Sequence, residues 1–350
     1  MFIIKRKKII AAFLFLLLGL CFFCDIVLGS VRIPLGEALK ILMGSSSENS
    51  VWTTIITEFR IPKAITAVMA GSALSVSGLL MQTFFRNPLA DPFVLGISSG
   101  ASFGVALVVL TAGSLGVNLF FLNGLLNKIG ITIAAGFGAA VILLLITFVS
   151  RKVSSNITLL IFGLMLGYII GALESILKYF SSPENLQGYV IWGMGNFGNV
   201  IWNDLFLLIP IILFGLVVAF LLSKPLNLLL LGENYAISMG VNIKVIRLLI
   251  VIAVGILGGV ITAFCGPIAF IGIAVPHITR KTLSEFDHKI LIPAVCIVGS
   301  ILALLCDIIS QLIWHEQTIP INVVTSLVGA PVVIWIIIQQ RKVKHSFAME

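Results

Sequence analysis

The chain of 350 residues is 59% hydrophobic and only 10% charged, whereas soluble domains carry about 25% charged residues. Together with a mean hydropathy of +1.17, this composition excludes a soluble globular protein and predicts a membrane protein with many spans. The net charge of +8 reflects where lysine and arginine stand relative to the membrane and does not indicate binding of nucleic acid.

Ten runs of the chain are apolar enough to cross a bilayer, which takes about 20 residues per helix. The predicted spans lie at about 9–28, 61–84, 93–112, 129–150, 157–180, 202–223, 245–264, 267–280, 290–313 and 323–339. The eighth is short and begins at Gly266-Pro267, so its bounds are the least defined. We predict an all-α fold in which residues 1–350 form a single transmembrane domain.

The first run follows the basic segment Lys5-Arg6-Lys7-Lys8, a pattern that also begins cleavable signal peptides. No A-x-A cleavage site follows it, and nine further spans do. We therefore interpret this run as a retained signal anchor.

Lysine and arginine predict the orientation, because they collect on the cytoplasmic side of membrane proteins. Ten spans place both termini on the same side. With the termini in the cytoplasm, 16 of the 22 basic residues are cytoplasmic and 6 are external. On this topology the second span starts outside and the seventh starts inside, so spans 2–5 and 7–10 form two oppositely oriented groups of four, as in inverted repeats.

Residues 86–92 read RNPLADP between the second and third spans. Asn87-Pro88 should end the helix, because proline disfavours the α conformation of the residue before it. Asp91-Pro92 should then begin the next span. The block predicts a single tight cytoplasmic turn that carries Arg86.

The cytoplasmic segment 225–244 lies between the sixth and seventh spans and contains a short stretch bracketed by two glycines. A short amphipathic helix there would suit a groove on a soluble partner, or alternatively would rest on lipid at the interface. The candidate contact residues are Gly232, Glu233, Ala236, Met239 and Gly240.

The block 266–280 reads GPIAFIGIAVPHITR and contains Pro276, His277 and Arg280. His277 could be a metal ligand, a proton carrier or a structural donor. No carboxylate or second histidine stands at helical spacing before Glu285. We predict that His277 stabilises a turn, and we predict neither a metal nor a cofactor.

Several segments together resemble permeases of the FecCD family, the membrane subunits of ABC importers for iron–siderophore complexes, haem and cobalamin. The resemblance covers about residues 30–340. Its motifs are RIPK at 60–63, AGSALSVSGLLMQ at 70–82, RNPLADP at 86–92, LGISSGA at 95–101, GPI through HITR at 266–280, and GAP at 329–331.

This resemblance implies a homodimer around a central pathway in the bacterial cytoplasmic membrane, with lipid around it. It also implies a cytoplasmic ATPase dimer and an external substrate-binding protein. A ferric siderophore is the commonest substrate of the family, and haem and cobalamin stay open as alternatives.

Individual family roles transfer to matching positions. Arg60 and Lys63 match the basic pair that meets carboxylates of the binding protein, and 225–241 matches the helices that contact the ATPase. Ser155, Asn156 and Ile157 resemble the cytoplasmic gate.

The chain also departs from the family at its outer end. Gln311 stands where an arginine is usual, and Thr318 to Asn322 replaces the usual Glu-Leu-Pro-Val-Gly. A third docking cation and a turn glycine are therefore missing, which puts the docking surface in doubt but leaves the fold unaffected.

Charged residues inside the spans are few. Glu174 and Lys178 stand four residues apart near an outer end and should pair. Asp25 and Asp307 also lie near outer ends. We expect these groups to have structural roles, although intramembrane carboxylates are functional by default.

Two other classes of protein compete with the permease interpretation. An ion-coupled secondary transporter would need a carboxylate or a broken helix at the midplane, and the spans offer no such carboxylate. A membrane enzyme would need a polar cluster at one depth, whereas the histidines at 277, 288, 315 and 345 stand near ends or loops. The phosphate-binding sequence GxxxxGK[ST] is absent, so ATP hydrolysis would belong to another chain.

Overall fold

A computed structural model describes residues 2–44, 49–112, 124–153, 155–313 and 318–347, and every regular element in these ranges is helical. Ser154 and His315 lie outside the described residues. The helices are α1 (Phe2–Val27), α2 (Leu35–Leu42), α3 (Ser50–Thr54), α4 (Ile61–Phe85), α5 (Ile97–Ala112), α6 (Gly124–Lys152), α7 (Asn156–Tyr179), α8 (Pro183–Gly193), α9 (Trp202–Leu221), α10 (Ser223–Leu231), α11 (Glu233–Ser238), α12 (Ile243–Cys265), α13 (Ile271–Leu283), α14 (His288–Leu312) and α15 (Ile321–Phe347).

The ten predicted spans coincide with α1, α4–α7, α9 and α12–α15, which confirms the all-α membrane fold. Within the described residues, seven of these helices are long and apolar enough to cross a membrane. The third span begins later than predicted, at Ile97 rather than 93, because a 3-10 turn at Pro92–Leu95 and Gly96 at φ 73° precede it. Helix α4 ends at Phe85, directly before the Asn87-Pro88 break that the sequence predicts, and Arg86 between them is left-handed at φ 48°.

Helix α4 lies at the centre of the bundle. In the 18-residue apolar stretch that makes it a candidate span, 83% of the residues are buried, whereas the corresponding share in α7 is 17%. Small residues permit this central position, because a Cβ on Gly78 would lie 1.9 Å from the Gly272 carbonyl of α13 and one on Gly71 would lie 2.2 Å from the Gly299 carbonyl of α14. In a membrane, burial of apolar side chains does not favour helix association, because lipid is equally apolar. Close van der Waals packing between backbones stabilises the helix pair instead.

The contacts between helices follow the two predicted groups. Helix α4 packs on α14 and α13, and its counterpart α12 packs on α6 and α5. When α4–α7 are matched in order with α12–α15, the contact of α4 with α14 corresponds to that of α12 with α6. The contact of α4 with α13 likewise corresponds to that of α12 with α5, as expected of repeats.

The polar stretches between spans are more ordered than the sequence indicates. They hold α2, α3 and a π-helical turn at Ile55–Arg60 before α4, α8 after α7, and α10–α11 after α9. We call the end of the bundle that carries residues 86–92 and α10–α11 the inner end, and the end that carries Arg60 the outer end.

Candidate functional site

The segment predicted to meet a soluble partner folds as α10 and α11 at the inner end. Helix α11 lies between Gly232 at φ 131° and Gly240 at φ 81°, as the two glycines predict. Ile237 and Met239 are exposed, whereas Ala236 is fully buried. The face available to a partner therefore excludes Ala236, and added bulk there would disturb the packing of α11 itself.

Glu233 connects α11 to the start of α7. Its Oε1 accepts a hydrogen bond of 2.6 Å from Asn156 Nδ2, which also donates to the Phe84 carbonyl at 3.1 Å. Ser155 caps α7 by accepting from the backbone N–H of Thr158. A predicted coupling residue and a predicted gate residue are thus in direct contact, which the sequence alone did not indicate.

Arg247 of α12 extends this contact. Its Nη1 donates to the Val153 carbonyl, its guanidinium lies 5.9 Å from the Phe84 ring centroid, and it interacts electrostatically with Glu233. We call Glu233, Asn156, Phe84, Val153 and Arg247 the inner network; it joins α4, α11, α12 and the α6–α7 turn. Ile157, the third predicted gate residue, is outside it and exposed.

A second set of polar contacts holds α10. Asn227 Oδ1 accepts the backbone N–H of His288 at 2.9 Å and lies 2.7 Å from its Nδ1, so Nδ1 carries the ring proton. His288 Nε2 then accepts from Thr83 Oγ1 of α4 at 2.8 Å. Asn227 also donates to Asp287, and this bond holds the pKa of Asp287 below its usual range. Because His288 is 1% exposed, the cluster is a structural joint and is closed to substrate.

The 86–92 turn closes through its own side chains. Asn87 accepts the backbone N–H two residues on, and Asp91 accepts that of Phe93 at 3.1 Å. Arg86 Nη2 donates to the Leu229 carbonyl of α10 at 2.8 Å. Asp91 is buried, and burial raises its pKa to about 6. The turn thus supports the α10–α11 segment from the side of α4.

The second motif block lies against this turn. Within α13, which contains Pro276, Arg280 donates to Gln82 Oε1 at 2.8 Å, and Gln82 donates to two backbone carbonyls at the start of α13. His277 hydrogen-bonds the backbone of Pro88. The two blocks that stand far apart in the sequence therefore stabilise each other at the inner end.

Arg60 at the outer end is engaged within the chain. It is 6% exposed, and its guanidinium donates to the carbonyls of Ile26 and Val27 at the end of α1 and to that of Val31 just after it. Carbonyls at a helix C-terminus lack partners within the helix. Arg60 supplies those partners, so its position supports a structural role directly, and docking stays a prediction.

Lys63 lies beside a buried pair of carboxyl groups. Its Nζ is 2.7 Å from Asp307 Oδ2. Gln311 Nε2 donates to Asp307 Oδ2 at 2.9 Å and to Asp25 Oδ1 at 3.1 Å. Gln311, which stands where the family usually has arginine, therefore bridges two carboxyl groups with a neutral donor.

The segment 318–321 before and at the start of α15 forms one wall of a cavity of about 210 Å³ beside Lys63 and Asp307, and Thr318 lines this cavity. Asn322, at the position of the usual turn glycine, accepts the Ala269 backbone N–H through its side chain. The backbone N–H of Asn322 donates to the Met194 carbonyl. Asparagine thus fastens the loop between α12 and α13.

Glu174 and Lys178 pair as predicted, at 3.3 Å. Glu174 Oε2 also accepts from Tyr189 at 3.0 Å, and the Tyr189 hydroxyl lies 2.6 Å from Ser102 Oγ. These contacts hold the outer helix α8 on α5 and α7. The pair is therefore part of the packing of the outer end, as expected of a structural role.

Sequence reasoning missed Arg247, Asn227 and Gln82, which connect the inner elements. Each is a polar side chain within or beside an apolar run. Such residues are expensive in a membrane and almost always face the protein interior. That cost was the available signal for them, although it does not reveal their partners.

Comparison with known proteins agrees with the geometry. The FecCD transport family matches residues 16–339. The chain is 37% identical to the vitamin B12 import system permease protein BtuC of Klebsiella pneumoniae, over 93% of this chain and 90% of that protein. It is 33% identical to the hemin transport system permease protein HmuU of Yersinia pestis, over 96% and 97%.

Among solved structures, an ABC transporter described as of metal-chelate type, in an inward-facing conformation, matches with a TM-score of 0.81 at 28% identity. The match covers 95% of this chain and 99% of that one. The resemblance that the sequence motifs predict is confirmed.

Proposed function

Because the chain belongs to the FecCD transport family, we propose that it forms, as a homodimer, the membrane pathway of an ABC importer for a ferric-siderophore-type chelate. The chain is a transport permease. ATP hydrolysis is assigned to a separate pair of cytoplasmic ATPase chains, and an external binding protein delivers the substrate.

One contact carries the proposed mechanism: the 2.6 Å hydrogen bond between Glu233 and Asn156. Helix α11 presents Ile237 and Met239 to a partner, and Glu233 at its start bonds the first residue of α7. When the ATPase chains close on ATP, displacement of α11 moves the start of α7. Helix α7 is the least buried candidate span in the described residues, which leaves it free to face a second copy and the pathway.

The orientation rests on the asymmetry of basic residues. Residues 86–92 and α10–α11 lie together at one end, as the contact of Arg86 with Leu229 requires. Placing this end in the cytoplasm of a bacterium puts both termini there and puts α8 outside. The ATPase then meets α11, and the binding protein meets the end that carries Lys63.

Haem and cobalamin are the alternative substrates, and the names of two relatives, which refer to hemin and vitamin B12, favour them. The permease, purified with its ATPase and reconstituted with the binding protein, should show ATPase activity stimulated at least about tenfold more by a ferric siderophore than by the other two solutes, which is about 1.4 kcal/mol of activation free energy.

Stimulation by haemin or cobalamin instead would reassign the substrate. Uptake that requires an ion gradient and proceeds without ATP would overturn the importer and favour a secondary transporter.

A further inference from the structure

A cavity of about 520 Å³ lies at the inner end, between the end of α4, α10, α13 and α15. Among the described residues, four basic side chains line it, from the 86–92 turn and from α13, and no acidic side chain does. We call this cavity the basic inner pocket. Its basic residues are Arg86, His277, Arg280 and Lys281.

The two arginines are held by neutral groups. Arg280 donates to the amide oxygen of Gln82, and Arg86 donates to a backbone carbonyl. Within the described ranges, no ion pair joins either arginine to a carboxylate. The Nε2 of His277 is buried and has no hydrogen-bond partner in the same ranges. The two arginines therefore bring to the pocket positive charge that no carboxylate of the described ranges pairs with. The ring of His277 bonds the Pro88 carbonyl, which can only accept, so its unpartnered Nε2 is an acceptor.

The remaining wall is apolar and aromatic. Leu230, Phe286 and Trp335 contribute to it, and Lys281 Nζ lies 3.6 Å from the Trp335 ring centroid. Tryptophan next to a cation is typical of the level of the lipid headgroups. A ligand that suits both walls carries a phosphate on one side and an apolar portion on the other.

We propose that the basic inner pocket binds the phosphate of an acidic phospholipid headgroup. Arginine forks match phosphate oxygens, and basic pockets between transmembrane helices on the cytoplasmic side take such headgroups. The cytoplasmic placement rests on the orientation proposed above. A bound headgroup joins α13 to the turn that supports α10, so acidic lipid stabilises the elements that receive the ATPase.

The test measures binding to the purified full-length protein in nonionic detergent, by native mass spectrometry and thermal unfolding. The probes are short-chain phosphatidylglycerol, phosphatidylcholine of the same chain length, and inorganic phosphate. Phosphatidylglycerol should bind at least about tenfold more tightly than phosphatidylcholine and should raise the unfolding temperature. Because the assay needs neither transport nor ATPase, its failure is distinguishable from failure of the proposed function.

Lys281→Gln and Arg86→Gln should each weaken phosphatidylglycerol binding by threefold or more, roughly, as expected for loss of one charge contact. Lys289→Gln is the matched control, because Lys289 is an exposed lysine near the same end that does not line the pocket. The unfolding temperature without lipid confirms that each variant folds.

Equal affinity for the two lipids, or equal losses in Lys281→Gln and Lys289→Gln, would overturn the proposal. Inorganic phosphate that displaces phosphatidylglycerol and stabilises the protein equally would identify a site for a free anion and would also overturn the lipid assignment.

Discussion

At the scale of single residues, Asp91 is a buried carboxyl group outside the spans, with a pKa of about 6 against an ordinary value of about 3.9. The native state binds this proton more tightly than the unfolded state does. The contribution of Asp91 to wild-type stability therefore falls as the pH rises from about 4 to about 6 and then levels off. Asp91→Asn keeps an acceptor for the Phe93 N–H and has no charge to bury.

We expect the free energy of unfolding of Asp91→Asn, relative to wild type, to rise by up to about 3 kcal/mol between pH 4 and pH 7. Thermal unfolding in nonionic detergent across this range checks it. Asp287→Asn is the control, because the pKa of Asp287 is lowered. Its contribution to stability is lost only below about pH 4, so the difference of this variant from wild type should change little across the same range. A pH-independent difference for Asp91→Asn would show that this carboxyl group is not perturbed.

Arg60 and Lys63 require separate tests, because reversing both charges cannot distinguish lost docking from lost folding. Arg60→Gln should destabilise the protein by about 2 kcal/mol or more, since backbone carbonyls lose a charged donor. The double variant Lys63→Gln, Asp307→Asn removes the ion pair, and the buried Asp25 keeps its hydrogen bond from Gln311.

That double variant should weaken association of the binding protein about fivefold at low salt and less at high salt. Binding-protein affinity at two ionic strengths is the measurement. The same affinity as wild type at both would exclude Lys63 from the docking surface.

The sequence identified the segments that hold Arg60 and Ala236 but did not predict that both side chains are buried. Arg60 and Ala236 match family positions that contact partners, yet both side chains are buried in the chain. Which side of a short helix faces outward depends on neighbours far away in sequence. The 77-residue separation of Glu233 and Asn156 shows why the contact of α11 with α7 could not be predicted from local pattern.

At the scale of helices, close backbone approach between α4 and α13 is the feature most sensitive to substitution. A Cβ at Gly78 would lie 1.9 Å from the Gly272 carbonyl, whereas one at Gly19 would meet nothing within 4 Å. Gly78→Ala should therefore lower stability by about 1–3 kcal/mol or more through overpacking.

Gly19→Ala, in the exposed part of α1, should be neutral or slightly stabilising because alanine favours helix. The unfolding temperatures of the two variants check this. Similar values for both would mean that α4 and α13 can separate without loss of stability.

The contact between α11 and α7 should behave as one unit in transport. Glu233→Ala and Asn156→Ala should each reduce ATP-driven uptake, and the double variant should be little worse than either single one, with a coupling energy of about 0.5–3 kcal/mol. Glu233→Gln keeps an acceptor and should retain most uptake. Additive losses in the double-mutant cycle would show that the two residues act independently.

Helix existence was predictable because apolar runs of sufficient length have one stable form in lipid. The late start of α5 was not, because the 3-10 turn after Pro92 depends on Asp91 accepting a hydrogen bond. The short helices α2 and α8 were also missed. Both are too short to read as spans, and α8 is held by a contact distant in space from its own local pattern, that of Tyr189 with Glu174.

At the scale of the whole molecule, two groups of four helices share a core around α4 and α12, and one short helix projects at the inner end. On the proposed function, α11 is the point at which the ATPase acts on this bundle. The exposed side chains of α11 and the buried inner network behind it are the two parts of that point.

The most direct measurement is the amount of ATPase that co-purifies with the tagged full-length permease. Ile237→Asp places a charge on the exposed face of α11 and should reduce the recovered ATPase at least about tenfold, because an unpaired charge in an interface is costly. Tyr179→Asp, which is also exposed but lies at the outer end, should recover as much ATPase as wild type. Wild-type recovery with Ile237→Asp, or an equal loss with Tyr179→Asp, would contradict the assignment of α11 as the ATPase contact.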